Sequence, residues 1–142
     1  MKLLKDILYK VSVNTIYGDT NLEISQIDFD SRAVKEGSLF VAQKGVSVDG
    51  HLFIDKAIGL GAISVICEIL PEKKQENITF IQVDDSNTSL AIIASNFYDN
   101  PSSKLKLIGV TGTNGKTTIA SLLYQLYKKA GFKVGLLSTV QI

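Results

Sequence analysis

The sequence predicts an α/β protein in which one complete domain is followed by the first β-α-β unit of a second. Short apolar runs of strand length alternate with segments of helical periodicity, the pattern expected of a layered α/β fold. A turn-rich stretch, Asp99-Asn100-Pro101-Ser102-Ser103, interrupts that alternation and marks a domain boundary, with residues 1–101 before it and 102–142 after it. Beyond the boundary a strand, a glycine loop, a helix and a second strand follow without pause. A lone unit of that kind cannot cover its own sheet faces, so the second domain as given is expected to be incomplete.

Within the first domain, Leu22 to Phe29 alternates apolar and polar residues as a half-buried strand does, with one irregularity at Ser25 and Gln26. Ser38 to Ala42 is a compact apolar run bounded by Gly37 and by Gln43-Lys44-Gly45, and reads as a second strand. His51 to Leu60 fits a helix with Phe53, Ala57 and Leu60 on one face, ended by Gly59 and Gly61. The runs AISVIC and TFIQV read as buried strands, and the charged PEKKQEN between them as a solvated loop. Leu90, Ile93, Ala94 and Phe97 then recur at helical spacing over Asn87 to Tyr98. In Asp84-Asp85-Ser86, a carboxylate pair for a substrate competes with a plain helix start in which Ser86 is the N-cap, and the helix start is the simpler reading.

In the second unit LKLIGV and VGLLSTV are the strands. The helix between them carries Ile119, Leu122, Leu123, Leu126, Tyr127 and Ala130 on one face, and ends at Lys128, Lys129 and Gly131.

Composition narrows the function classes. The chain has 142 residues, of which 45% are hydrophobic, and no uninterrupted apolar run long enough to cross a bilayer. Its 15 basic residues nearly balance 14 acidic ones, which leaves no broad cationic face for a nucleic acid, so phosphate recognition has to be local. The amino terminus, MKLLKDILYK, breaks its apolar residues with lysines and lacks a cleavage site, which implies a cytoplasmic address. Cys67 is the single cysteine and lies in an apolar run, as a core residue does. No second ligand near His51 makes a metal site, and its simple role is to open a helix.

The candidate chemistry lies in Gly112-Thr113-Asn114-Gly115-Lys116-Thr117-Thr118, between a strand and the start of a helix. Gly112 and Gly115 allow backbone angles and close approach that a Cβ would block, so that successive N–H groups can turn toward one anion. The helix start adds free donors and a favourable dipole. Lys116 is placed to reach β- and γ-phosphates, and the Thr117 hydroxyl to ligate Mg²⁺. The Walker pattern is incomplete, because its first glycine would fall at Val110. The alternative for GKT by itself is a glycine turn with a solvent-facing lysine; the flanking strand and amphipathic helix favour the phosphate loop. A dinucleotide fingerprint is absent.

GVTGTNGKTT closely resembles the ATP loop of the Mur ligases, which use the same shortened glycine pattern. Folylpolyglutamate synthetases share its GTNGK core, so the upstream residues decide. Phe29-Asp30-Ser31-Arg32, Gly37-Ser38-Leu39-Phe40-Val41-Ala42, Gly45, Asp49-Gly50-His51 and Gly61-Ala62 follow the diamino-acid-adding (MurE) type of Mur ligase in order and spacing. The D-alanyl-D-alanine-adding type has a related region but typically lacks the Thr-Asn of the loop.

The resemblance covers the whole chain. It implies an amino-terminal UDP-substrate-binding domain followed by the start of an ATP-binding central domain. The implied reaction phosphorylates the D-glutamate carboxylate of UDP-N-acetylmuramoyl-L-alanyl-D-glutamate with ATP and Mg²⁺. The resulting acyl phosphate is attacked by the amine of meso-diaminopimelate or L-lysine. ATP would lie on Gly112 to Thr118, with Lys116 acting on the transferring phosphoryl group and Thr117 on the metal.

The same resemblance places the UDP portion against Phe29, Ser31, Val46, Ser47 and Val48. The family's loop is more polar at these last three positions, so contact there is implied through the backbone. From the residues alone, Asp30-Ser31-Arg32 reads more simply as a turn in which Arg32 pairs with Asp30 than as a nucleotide contact. Remaining metal ligands and the amino-acid site are expected beyond Ile142, and the chain by itself is expected to be inactive. A UDP-sugar-binding module without catalysis is the alternative function, and another phosphate-loop enzyme such as a small-molecule kinase is a third.

Overall fold

The computed structural model describes residues 1–45 and 48–139, and it divides into two compact units, Met1–Lys104 and Leu105–Ile142. The division falls three residues after the position chosen from the turn-forming residues, because Pro101–Lys104 form a 3₁₀ turn that stays with the first unit.

The first unit is built on a five-stranded sheet. Its strands are β2 (Val13–Tyr17), β4 (Gln26–Asp28), β5 (Ser38–Val41), β6 (Ala62–Cys67) and β7 (Thr79–Val83), in the order β2-β7-β6-β5-β4. β4 to β7 run parallel, and β2 closes the β7 edge antiparallel. A small second sheet pairs β1 (Lys2–Leu3) with β3 (Glu23–Ile24).

Both faces of the larger sheet are buried, which is why β5, β6 and β7 read as nearly unbroken apolar runs. Period-two alternation sorts their side chains. Phe40, Ala42, Val65, Cys67 and Phe80 join Ile54 and Ala57 of helix α2 (Ile54–Gly59) on one face. On the other, Leu39, Val41, Ile66, Ile81 and Val83 join Leu4 and Ile7 of helix α1 (Leu4–Ile7) and Ile93 of helix α3 (Ser86–Phe97). Cys67 is fully buried in the first of these cores, and burial pushes its thiol up to about 11, consistent with a packing residue.

Several elements differ from expectation. Leu22 to Phe29 is two strands in two sheets, broken at Ser25, whose amide donates to the Gly37 carbonyl and whose hydroxyl donates to Glu36 O. The helix expected over His51 to Leu60 opens as a 3₁₀ turn, Gly50–Phe53, and becomes α-helical only from Ile54. α3 is capped by Asp85 rather than by Ser86. The Asp85 carboxylate accepts from the amides of Asn87 (2.8 Å) and Thr88 (3.0 Å), leaving the Ser86 hydroxyl free for Glu68.

The first ten residues carry no strong periodicity, yet they pack α1 beneath α3. Asn96 Nδ2 donates to the carbonyls of Ile7 (2.9 Å) and Tyr9 (2.6 Å), and Lys2 Nζ pairs with Asp99 at 2.5 Å.

In the second unit the helix α4 spans Lys116–Lys129 as the periodicity requires. Segments 106–111 and 132–137 on either side of it carry no ladder among the described residues. A strand is defined by a hydrogen-bonded neighbour, and an isolated pair of extended segments has too little apolar cover to hold one.

Ile66 is fully buried at the centre of the α1/α3 face. Ile66→Ala should lower the unfolding free energy by about 3 kcal/mol through lost transfer energy and a residual cavity, measured as a lower urea midpoint with an unchanged slope.

Candidate functional site

Because β4 to β7 are parallel, their carboxyl ends open on one edge of the sheet, and the loops leaving them are the natural place for a ligand. β4 leads into Phe29–Arg32, β5 into the loop from Gln43 to Gly50, β6 into Glu68, and β7 into Asp84, Asp85 and the start of α3. Phe29, Ser31 and Val48 thus follow the ends of two neighbouring strands. Val46 and Ser47 lie outside the described residues.

The turn after β4 is rigidly drawn. Asp30 accepts from the Arg32 amide (2.9 Å) and from its guanidinium (Nε at 3.0 Å, the terminal nitrogen at 2.7 Å), and Ala33 N–H donates to Asp30 O. The Arg32 side chain and amide hold the Asp30 carboxyl down to about 2. Gln26 ties the turn back to its strand by donating to Asp28 Oδ2 (2.7 Å) and to Ala33 O (3.1 Å). The ion pair of the simpler sequence reading is therefore present; beside it Phe29 is 62% exposed, while Ser31 is buried in the turn. An exposed aromatic ring beside a buried hydroxyl at a strand end can cover a planar base and offer it a hydrogen bond.

The loop after β5 is closed at its base. Gly50 N–H donates to Gln43 O (2.7 Å), Gly45 N–H to Val48 O (3.1 Å), and Lys44 and Asp49 form an isolated antiparallel bridge. A Cβ on Gly50 would stand 2.6 Å from Gln43 O, so the two limbs approach this closely only because that residue is glycine. The Asp49 carboxylate caps the following 3₁₀ turn, and bonds from the backbone amide and the ring of His51 lower its pKa. At the loop's outer side Gln43 Nε2 donates to Asn87 Oδ1 (2.6 Å). Sequence reasoning missed the link from Gln43 to Asn87, since the two lie on separate elements and no spacing rule relates them; their signal was only that polar residues follow the apolar runs of β5 and β7.

In the second unit, Gly115 has φ +77° and caps α4, and Gly112 has φ +149°. Both angles lie in the region that glycine permits, and open space surrounds the Gly115 α-carbon. The first-turn amides of α4 accordingly face the loop with no side-chain cap. Lys116 Nζ bends back over the loop to donate to the Gly112 and Thr113 carbonyls. Such a loop fits an anion, having unsatisfied donors, a helix dipole and a cation within one turn. Thr113, Asn114 and Thr118 are exposed around it, and Thr117 is half-buried in the first turn. Among the described residues no group of three His, Cys, Asp or Glu side chains is arranged to hold a metal.

Family comparison connects these two regions. Residues 23–98 match the model described as Mur ligase family, catalytic domain, and residues 110–142 the Mur ligase middle domain. The UDP-N-acetylmuramoyl-L-alanyl-D-glutamate--2,6-diaminopimelate ligase of Cytophaga hutchinsonii is 57% identical over 139 residues, covering 97% of this chain and 29% of its own. The ligase of the same name from Phocaeicola vulgatus is 54% identical over 140 residues, covering 99% and 29%. The chain thus spans less than a third of the length of the curated relatives it matches.

Among solved structures, MurF of Acinetobacter baumannii has the same fold, with a TM-score of 0.65 at 24% identity over 89% of this chain and 27% of that one. MurF ligase of Thermotoga maritima in complex with ADP has a TM-score of 0.56 at 35% identity, covering 73% and 23%. With one model matching more than half of the residues and a second matching the unit that holds α4, the chain belongs to the Mur ligase family.

Proposed function

We propose that this chain carries the nucleotide-substrate domain and the phosphate loop of a cytoplasmic ligase that joins 2,6-diaminopimelate to UDP-N-acetylmuramoyl-L-alanyl-D-glutamate at the expense of ATP. The observation that carries this reading is the match, over almost the entire chain, to relatives bearing that name. Diaminopimelate is preferred to lysine for the same reason. Residues 1–101 form the UDP-substrate domain in this proposal, and residues 102–142 begin the ATP domain. No helix among the described residues is long and apolar enough to cross a membrane.

In the first domain Phe29 covers the uracil, Ser31 donates to or accepts from the nucleotide, and the loop around Val48 contacts it through backbone groups. Val46 and Ser47 complete that loop in the sequence. In the second, the Gly112 to Thr118 amides receive the ATP phosphates. Lys116 exchanges its two carbonyl bonds for phosphate oxygens, which sets a full positive charge beside the group being transferred. The Thr117 hydroxyl is the group on this chain placed to hold Mg²⁺, which supplies charge neutralisation at the phosphates when bound. The D-glutamate carboxylate attacks the γ-phosphorus with loss of ADP, and the diamino acid's amine then displaces phosphate from the acyl phosphate to form the amide.

UDP titrated into the ¹⁵N-labelled 142-residue chain should shift amide signals of residues 29–32 and 43–49, with the α4 signals unmoved. Shifts confined to α4, or none at all, would remove the substrate-domain assignment.

Lys116→Ala in the full-length ligase should lower turnover at least a hundredfold, about 3 kcal/mol of transition-state stabilisation, while affinity for the UDP substrate stays within about twofold. Near wild-type turnover of the variant contradicts the role given to Lys116.

The 142-residue chain should release no phosphate above background from ATP, Mg²⁺, the UDP-dipeptide and either diamino acid. None of the described α4 residues is buried, and Ile119, Leu122 and Leu126 are half or more exposed, so the anion cradle lacks the packing that would fix it. Phosphate release dependent on the UDP-dipeptide would show that packing to be unnecessary.

A further inference from the structure

His51 has a use that its position at the head of a helical turn does not suggest. Its ring is 12% exposed, and both nitrogens are engaged. Nδ1 lies 2.6 Å from Asp49 Oδ1, the same oxygen that accepts from the His51 amide at 2.9 Å. Nε2 faces two backbone N–H groups, Glu68 at 2.9 Å and Ile69 at 3.2 Å. A backbone N–H can only donate, so Nε2 must present its lone pair, and the ring proton is therefore on Nδ1, donated to the Asp49 carboxylate. The Nε2 lone pair is thus committed to the two amides.

The contacts beyond the ring extend the connection. Glu68 Oε1 accepts from Ser86 N–H (3.0 Å) and from Ser86 Oγ–H (2.8 Å), and Glu68 O accepts from Gln82 Nε2 (3.0 Å). Ser86 is fully buried at the start of α3. The base of the β5 loop, the end of β6 and the start of α3 are thus joined in series, with the imidazole as the link that crosses from the first to the second. Without it the loop base would rest on its own internal bonds and on Gln43–Asn87.

We propose that His51, as its Nδ1–H tautomer, is a positioning residue of the UDP-substrate site, clamping the base of the β5 loop to the carboxyl ends of β6 and β7 so that the limbs Gln43–Gly45 and Val48–Gly50 are held ready for the nucleotide. The proposal rests on the assignment of that loop to UDP. Preorganised donors bind more tightly than ones that must be ordered on binding, so breaking the clamp weakens affinity without touching a ligand contact.

His51 is the only histidine in the chain, so a long-range ¹H–¹⁵N spectrum of the labelled protein at neutral pH reports a single ring. Protonated Nδ1 with bare Nε2 is expected, and an Nε2–H tautomer overturns the proposal without recourse to any variant. Binding of UDP is then compared in wild type, His51→Gln and His51→Asn, with a thermal melt of each. Glutamine carries its carbonyl oxygen out to the place of Nε2 and keeps the bond from the Glu68 amide that crosses to β6, whereas asparagine reaches only as far as Nδ1 and keeps only the bond to Asp49. The asparagine variant should bind UDP about tenfold more weakly, and the glutamine variant should recover most of that loss. Equal UDP affinity in wild type and a folded asparagine variant overturns the clamp and leaves the loop's assignment intact. Absence of UDP binding by the wild-type chain overturns both.

Discussion

Burial of the parallel sheet on both faces is the constraint on which the rest of the first unit depends. Leu39 and Val41 are committed to the α1/α3 side, and Phe40 and Ala42 to the α2 side, so the strand interiors have no side chain left for a ligand. Parallel pairing also forces each connection to return across the sheet before the next strand begins, which collects all the departing loops on one edge. Recognition is thereby confined to strand ends. Polar residues appear there at once: Asp30 to Arg32, Gln43, Glu68, and Asp84 to Asn87. A slip of one residue in β5 would turn Phe40 and Leu39 to opposite cores and displace the loop base by the length of a residue, so the packing of the core fixes the geometry of the edge.

What could be read from the sequence followed from periodicity and from backbone demands. The runs AISVIC and TFIQV have few readings other than buried strands, and α3 and α4 appear where their apolar stripes require. The glycine turn before α4 was legible for a different reason: two glycines three residues apart ahead of an amphipathic helix suit a turn of positive φ, and Gly112 and Gly115 adopt it. Features that depend on pairing partners were not legible. Ser25 breaks Leu22–Phe29 into two strands because Gly37 and Glu36 supply its bonds, and nothing local announces them. Asp85 caps α3 instead of Ser86 because Glu68, remote in sequence, takes the serine. β2 escaped notice because Val13 to Tyr17 is a largely exposed edge strand whose alternation is weak.

The two units differ in how far they satisfy themselves. The first covers its sheet with three helices and leaves no buried side-chain nitrogen or oxygen without a partner among the described residues. The second has a well-formed α4, with Tyr127 set edge-on against Phe132, but its leucines face outward and its extended segments are unpaired among the described residues. Local sequence is enough to wind a helix of that length with good formers, whereas a β ladder needs a neighbour to complete it. The glycine loop before α4 inherits this difference. Its backbone is shaped by glycine and the helix start, and its rigidity has to come from packing.

The clasp between the amino terminus and α3 bears on the order in which the domain is assembled during translation. Leu4 and Ile7 are fully buried only against a face that includes Ile93, and Ile7 O and Tyr9 O find their donor in Asn96. The α1 segment therefore has no complete docking surface until nearly the last residues of the domain have emerged from the ribosome. Loop closure across so long a stretch is entropically costly, and β4 to β7 each pair with a strand nearer in sequence. The parallel strands can thus associate while the amino-terminal helix is still waiting. That helix then acts as a latch added at the end, shutting the α1/α3 core only when synthesis has passed the domain's final helix.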